Sequence, residues 1–204
     1  LFSKQGLEKL FSTIQAKTES SEVILSGNSL RMIALRDNYI QTIDHVIQFL
    51  QGKQNTLAHT ICTRQFLPEA GRFAQMDDLN WAFGSMGKQD RAKHIATMYL
   101  EDLGDLIKET VDPHFGFSRY AESLGRSANS FDELYNALQL PFTYLDEILI
   151  EIFANRIDQV KPKLVCISVP FPGNLYTSLR CGQWIKKNRP HIKVAMGGGF
   201  ANTE

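Results

Sequence analysis

The sequence predicts an α/β protein in which a short βαβ unit follows a large, mainly helical region. Three observations lead to this prediction. Residues 164–169 form an apolar run rich in β-branched side chains, residues 175–188 carry apolar side chains at helical spacing, and residues 192–196 form a second apolar run. A strand, a crossover helix and a second strand with short connections form a βαβ unit with parallel strands. We therefore divide the chain into a mainly helical region, 1–140, and a βαβ region, 141–204.

The first strand is expected to be covered on both faces of the sheet, because its apolar run lacks polar alternation. Pro170, Pro172 and Gly173 end this strand. Cys166 lies within it, and we expect its side chain to be a small core residue. The helix that follows begins after Asn174, whose side chain is a candidate N-terminal cap.

The candidate ligand site is the edge where both strands end, because ligands of open parallel sheets lie beyond the carboxyl ends of the strands. Those ends are residues 168–174 and 197–202. The second contains Gly197, Gly198 and Gly199 in succession. Consecutive glycines leave room beside the main chain and permit positive φ, so a phosphate, a nucleotide tail or another backbone segment can approach closely. A tight turn from strand to helix is the alternative interpretation.

The closing stretch of the chain resembles part of a known family. The residues that carry the resemblance are Ile167-Ser168-Val169, Lys186, Pro190, and Val194 to Gly199 followed by Phe200 and Thr203. They resemble the last part of the cobalamin-binding-type domain that precedes the catalytic barrel in many radical S-adenosylmethionine proteins. The resemblance implies a flavodoxin-like (Rossmann-like) fold. It also implies that Ser168, and Gly198 with Gly199 or its neighbour Gly197, line the pocket for the cobalamin nucleotide tail.

Two motifs of related proteins are absent from this sequence. None of the five histidines has an aspartate two residues before it and a glycine three after, so the Asp-x-His-x-x-Gly loop of cobalamin-dependent mutases is not present. Many members of the radical family lack that loop too, so its absence leaves cobalamin binding open. Cys62, Cys166 and Cys181 are too far apart to form the Cys-x-x-x-Cys-x-x-Cys cluster motif. A [4Fe-4S] cluster and S-adenosylmethionine are therefore implied only for a downstream part of a parent protein.

Helical spacing of apolar residues also organises the region before the βαβ unit. The expected helices span residues 1–17, 30–50, 57–66, 77–83, 88–110, 120–124 and 131–138. Gly52 stands where a C-terminal glycine cap belongs. Ser130 and Glu133 form a capping box at the start of the last of these helices.

One more helix is expected to open at Pro141 and to pack on the sheet through its apolar side chains. Its acidic residues Asp146, Glu147 and Glu151 are expected on the opposite, solvent-facing side. Paired carboxylates can perform acid–base chemistry. On an exposed helix face, we interpret them as solubilising charge.

Composition excludes several classes of function. The chain has 22 basic and 22 acidic residues and no basic stripe, which argues against nucleic acid or an anionic membrane as the main partner. Three scattered cysteines do not make a disulfide framework, so a cytoplasmic location is expected. No apolar run approaches the roughly 18 to 20 residues of a membrane helix.

The sequence contains no catalytic constellation. We find no Gly-x-Ser-x-Gly, no P-loop, no His-Glu-x-x-His and no cysteine beside a plausible base. It therefore predicts a region that is non-catalytic by itself, the cobalamin-binding-like N-terminal accessory region of a radical S-adenosylmethionine enzyme, with the barrel of that enzyme as its partner. Two alternatives remain. One is a helical interaction module with an empty, vestigial pocket, and the other is a sensor domain that binds a nucleotide at the glycine turn.

The sequence is also expected to be a fragment of a longer protein. It begins inside an amphipathic pattern without an initiator Met and ends just past the glycine turn, where a further helix is expected. Two strands are too few for a stable open sheet, so the missing strands are expected before Leu1. An unpaired strand edge templates pairing with another chain, which predicts self-association of the fragment.

Overall fold

A computed structural model describes residues 1–20, 23–75, 87–113, 115–117 and 131–203. Two of the expected helices, 77–83 and 120–124, lie outside the described residues, as does Ser130 of the expected capping box. The chain forms two compact units, Leu1–Pro113 and His114–Glu204.

Both units are mainly helical, and the second also contains a small parallel sheet. The elements of the first unit are α1 (Lys4–Glu19), α2 (Gly27–Ala34), α3 (Arg36–Leu50), α4 (Leu57–Cys62), a 3₁₀ helix (Gly71–Gln75) and α5 (Lys88–Thr110). Those of the second are α6 (Phe131–Gln139), α7 (Tyr144–Val160), β1 (Leu164–Ser168), a 3₁₀ helix (Pro172–Asn174), α8 (Leu175–Asn188), β2 (Lys193–Gly197) and α9 (Gly199–Thr203). The expected α/β character is confirmed at this level.

The core of the first unit lies between α1, α3 and α5. Helix α1 packs on α3, α3 contacts α5, and α4 and the 3₁₀ helix pack on α5. The side chains of Tyr39 on α3 and Tyr99 on α5 are fully buried, and their ring centroids lie 5.1 Å apart. Helix α1 buries the apolar face that its spacing predicts, namely Leu7, Leu10, Phe11 and Ile14.

The stretch expected as one helix, 30–50, is two helices that break at Leu35. Helix α2 begins earlier than predicted because Ser26 caps it, accepting a hydrogen bond from the backbone N–H of Ser29 at 3.1 Å. A carboxylate of Glu109 accepts from the backbone N–H of Ser26 at 2.6 Å and so fixes this start. Leu30, the first apolar residue of that stretch, is 56% exposed. The expected glycine at the end of α3 is confirmed, since Gly52 has a φ of +76°.

The sheet of the second unit consists of β1 and β2, paired in parallel from Leu164 opposite Lys193 to Ser168 opposite Gly197. Helix α8 connects the two strands. Helices α7 and α8 cover the same face of the sheet, because Val165 and Val194, which are opposite one another, both pack against one apolar cluster. The buried members of that cluster are Ile157, Ile185 and Ile192, and Phe153 and Trp184 pack against it.

The other face of the sheet is exposed, which corrects the expectation that both faces are covered. Along β1 the exposed residues Leu164, Cys166 and Ser168 alternate with the half-buried Val165 and Ile167. The side chain of Cys166 is therefore on the surface, and its expected place in the core is wrong. The reason is that both helices described as packing on the sheet lie on its other side.

The division into compact units falls at Pro113, whereas the sequence places the boundary after residue 140. Helix α6 belongs to the second unit. The guanidinium group of Arg180 on α8 donates hydrogen bonds to the carbonyl oxygens of Ala137, Leu138 and Leu140, at 3.0, 3.0 and 3.1 Å. These bonds join the C-terminal end of α6 to α8.

Candidate functional site

The carboxyl ends of β1 and β2 meet at one edge of the sheet and bring the predicted site residues together. Ser168 lies directly opposite Gly197 in the parallel register. The backbone N–H of Val169 donates to the carbonyl oxygen of Gly197 at 2.7 Å, and the backbone N–H of Phe200 donates to the carbonyl oxygen of Val169 at 3.1 Å. The two turns that leave the strands are thus joined by backbone hydrogen bonds.

Gly198 is required by the fold of this edge. Its φ is +112°, a conformation that residues with a side chain rarely adopt. A Cβ atom at this position would lie 2.7 Å from both the backbone nitrogen and the carbonyl oxygen of Val169. The segment that approaches Gly198 closely is therefore the protein's own backbone. This arrangement corresponds to the tight-turn interpretation at that residue.

The neighbouring positions are open. A Cβ atom at Gly197 would have no atom within 4 Å, and one at Gly199 would meet only the carbonyl oxygen of Pro170 at 3.5 Å, an ordinary contact. The side chain of Ser168 is exposed. We call Ser168, Gly197 and Gly199 the carboxyl-end strip, and it presents a hydroxyl group and accessible backbone without bulky side chains.

The chemistry available at the carboxyl-end strip is that of binding. Ser168 offers a hydroxyl group that can donate and accept hydrogen bonds, and Phe171, which follows β1, is 69% exposed. Among the described residues, no group of three or more His, Cys, Asp or Glu side chains is placed to hold a metal ion. None of the helices in the described ranges is long and apolar enough to cross a membrane.

A buried polar cluster that the sequence did not predict links α7 to α8. The side chain of Asp146, expected on the solvent-facing side of α7, is buried, and this expectation is wrong. The Tyr176 hydroxyl donates to Asp146 Oδ2 at 2.9 Å, and Arg180 Nε lies 3.2 Å from the same oxygen. Burial raises the pKa of Tyr176 to about 12, so its hydroxyl group keeps its proton at neutral pH.

Local sequence carries part of the signal for this cluster. Thr143 and Asp146 form a capping box at the start of α7, with the Thr143 side chain accepting from the N–H of Asp146 and the Asp146 side chain accepting from the N–H of Thr143. Their spacing is that of a capping box with aspartate in place of glutamate. The helix consequently begins at Tyr144 rather than at Pro141. The second partner, Arg180, has no local signal because its contacts are about 40 residues away in sequence.

The first unit contains a buried carboxylate of a different kind. Asp102 on α5 is fully buried, and its Oδ1 accepts from the backbone N–H of Arg72 at 3.1 Å. Within the described residues, Asp102 Oδ2 and the hydroxyl oxygen of Tyr39 have no hydrogen-bond partner. Burial raises the pKa of Asp102 to about 6.

The structure thus shows a small parallel sheet, with Ser168 and Gly197 side by side at one edge, in a unit that follows a helical unit in sequence. In comparisons with protein-family models, curated proteins and solved structures, nothing matches this chain. Its assignment to a class therefore depends on the residues at the sheet edge and on the resemblance that they carry.

Proposed function

We propose that this chain is the cobalamin-binding-like accessory region of a cytoplasmic radical S-adenosylmethionine enzyme, and that its carboxyl-end strip binds the nucleotide tail of cobalamin. The finer fold in this proposal is a partial flavodoxin-like domain, whose partner is the barrel of the parent enzyme. Support comes from the resemblance at residues 167–203 and from the position of the strip at the ligand edge of a parallel sheet.

The observation that carries the proposal is the free space over Gly197. In the parallel register Gly197 lies beside Ser168, and a Cβ atom there would meet nothing within 4 Å. The strip therefore has room for a ligand segment to run along the backbone. The residues fit a nucleotide tail at Ser168, Gly197 and Gly199. At Gly198 the space is already taken by Val169, so this residue shapes the turn and does not contact the ligand.

In this proposal the chain's own residues bind and orient. The hydroxyl group of Ser168 holds a polar atom of the tail, and the two open glycines let the tail approach the main chain. The exposed ring of Phe171 flanks the edge. Bound cobalamin would supply organometallic group-transfer chemistry, and no group of three or more His, Cys, Asp or Glu side chains in the described ranges is placed to hold a metal ion.

The test compares two glycine variants of the intact parent protein. Gly197→Val places a branched side chain in the proposed path of the tail, and valine suits a strand. We expect this variant to lose bound cobalamin, measured by visible absorbance after gel filtration with excess cobalamin. Gly182→Val is the matched control, because Gly182 on α8 also has nothing within 4 Å of a Cβ position and lies away from the strip. It should retain cobalamin like the unmutated protein.

Circular dichroism in the far ultraviolet checks that both variants stay folded. Gly198→Val is unsuitable for this test, because its clash with Val169 would disturb the fold and the site together. If the unmutated parent elutes colourless, the proposal fails and the interaction module becomes the leading function. If Gly197→Val retains cobalamin as well as Gly182→Val does, the ligand does not lie on the carboxyl-end strip.

A further inference from the structure

A groove of about 690 Å³ lies on the second unit, away from the carboxyl-end strip. Its lining residues are Phe142, Gln183, Trp184, Lys186, Lys187 and Asn188. Phe142 comes from the connection between α6 and α7, and the other five come from the last turns of α8. The groove is therefore built around one helix end.

Both aromatic walls of the groove are held from behind. The guanidinium carbon of the buried Arg180 lies 5.1 Å from the centroid of the Phe142 ring. Arg180 also donates hydrogen bonds to the carbonyl oxygens of Ala137, Leu140 and Pro141. The ring of Trp184 meets the edge of Phe153 at a centroid distance of 5.9 Å. Arg189 lies over the Trp184 ring at 5.5 Å. The Phe142 and Trp184 rings are thus already held in place before a partner binds, which lowers the entropic cost of binding.

The unbalanced charge of the groove is positive. Lys186 and Lys187 are exposed and form no ion pair with the described residues. The Gln183 amide donates to the carbonyl oxygen of Leu138 at 3.2 Å, and the Asn188 amide donates to that of Trp184 at 2.9 Å. Each amide already makes a hydrogen bond within the protein, whereas the two amines carry the positive charge that a ligand would meet. None of the described residues that line the groove carries a carboxylate.

We propose that this groove binds an acidic segment of a partner protein, with an apolar or aromatic side chain of that segment between Phe142 and Trp184 and its carboxylates at Lys186 and Lys187. Aromatic side chains in preformed pockets dominate binding at protein interfaces, and surrounding charges set specificity. The chain's equal numbers of acidic and basic residues favour a protein over a nucleic acid. The site is separate from the proposed cobalamin edge and does not depend on it.

The probe is a blocked synthetic peptide, Glu-Asp-Leu-Phe-Glu-Asp, titrated into the full chain while tryptophan fluorescence is followed. We expect a saturable change that weakens as salt is added, because exposed ion pairs are screened. The double variant Lys186→Gln with Lys187→Gln should bind the peptide about five- to tenfold more weakly. The variant Trp184→Phe should lose the fluorescence change while Trp81 remains.

The matched control is Lys163→Gln with Lys193→Gln, which removes the same charge from two exposed positions outside the groove. This control should bind like the unmutated chain. Equal weakening in both double variants would overturn the proposal, because it would show attraction to net charge alone. A flat titration would overturn it too. Tighter binding of a mixed-sequence single-stranded oligonucleotide than of the peptide would overturn it in favour of a nucleic-acid site.

Discussion

Asp146 in the second compact unit and Asp102 in the first are both buried, but they have opposite surroundings. Asp146 in the second unit has a buried guanidinium, a tyrosine hydroxyl and a backbone N–H at its side chain. In the first unit, Asp102 Oδ1 accepts a hydrogen bond from the backbone N–H of Arg72, and Asp102 Oδ2 has no hydrogen-bond partner among the described residues. The guanidinium of Arg72 is directed instead to Glu101 and Asp105, at 3.0 and 2.8 Å.

A buried carboxylate affects stability differently when it is paired with a cation and when it is not. A buried ion pair that is also hydrogen-bonded holds separate elements in one arrangement, and it is costly to break from one side. A buried carboxylate without a cation in contact favours its protonated form, so its contribution depends on pH. We therefore expect the second unit to be sensitive to loss of a partner and the first to be sensitive to pH.

The largest effect is expected from Arg180→Met. This change leaves Asp146 buried without its cation and removes hydrogen bonds from the carbonyl oxygens of Ala137, Leu138 and Leu140. Removing one partner of a buried pair typically costs about 3–5 kcal/mol. We expect a loss of that size in the free energy of unfolding of the second unit, measured by urea denaturation with far-ultraviolet circular dichroism.

Arg189→Met is the matched control, since it also replaces an arginine of the same region by methionine. The Arg189 side chain is 36% exposed and that of its partner Asp158 is 56% exposed. Exposed pairs contribute about 0–1 kcal/mol, so this variant should be close to the unmutated protein. Equal losses in the two variants would show that the buried cluster has no special role.

A smaller loss is expected from Gly198→Ala. The added Cβ would contact the backbone of Val169 at 2.7 Å, and the residue would keep a φ of +112°. Such backbone strain costs roughly 1–3 kcal/mol. Gly197→Ala, one residue earlier, should change the free energy of unfolding by less than about 0.5 kcal/mol, because its Cβ meets nothing. A Gly198→Ala variant as stable as Gly197→Ala would contradict this account of the turn.

Sequence alone predicts the elements whose signals are local. Helices α5 and α8 begin and end at the predicted residues, 88–110 and 175–188, because strong apolar spacing is bounded by glycine, proline or asparagine. Sequence alone fails at the start of α2, where Ser26 is the N-terminal cap and its backbone N–H is held by Glu109, 83 residues away in sequence. Sequence alone does not predict the exposure of Cys166, because an apolar strand does not reveal on which side its helices pack.

The candidate site is also predictable from sequence only in part. The positions of Ser168 and Gly197 follow from where two strands end, and the parallel register places them side by side. The different roles of Gly197 and Gly198 do not follow from three identical letters, because they depend on the path of Val169. Arg180 looks like one more charge on an amphipathic helix until its distant carbonyl partners are known.

The smallest expected effect, and the one of opposite sign, comes from Asp102→Asn in the first unit. Burial raises the pKa of Asp102 to about 6 from its ordinary value of 3.8. The folded state therefore holds the proton more tightly than the unfolded state. Stability from this group is fully present below pH 4 and is lost as pH rises through 6.

Two charged groups shift the pKa of Asp102, and the Asp102→Asn variant isolates the contribution of Asp102 to the pH dependence of stability. Arg72 lowers the pKa of Asp102, and Asp105 raises it. Glu109, on the same helix, has its pKa lowered overall by hydrogen bonds from Ser26 and Ser29 in spite of partial burial. Its contribution consequently has the opposite slope and is lost as pH falls. The difference in unfolding free energy between Asp102→Asn and the unmutated chain removes the part due to Glu109, because that residue is present in both.

Asparagine keeps the shape and the acceptor for the Arg72 N–H but cannot ionise. We expect Asp102→Asn to raise the free energy of unfolding of the first unit by about 1–2 kcal/mol at pH 7, and to give no gain at pH 4. Urea denaturation at a series of pH values measures this difference. Asp102→Ala, which loses the acceptor as well, should show a smaller gain or a loss at pH 7. A gain from asparagine that is constant across the series would show that Asp102 does not change its protonation over this range.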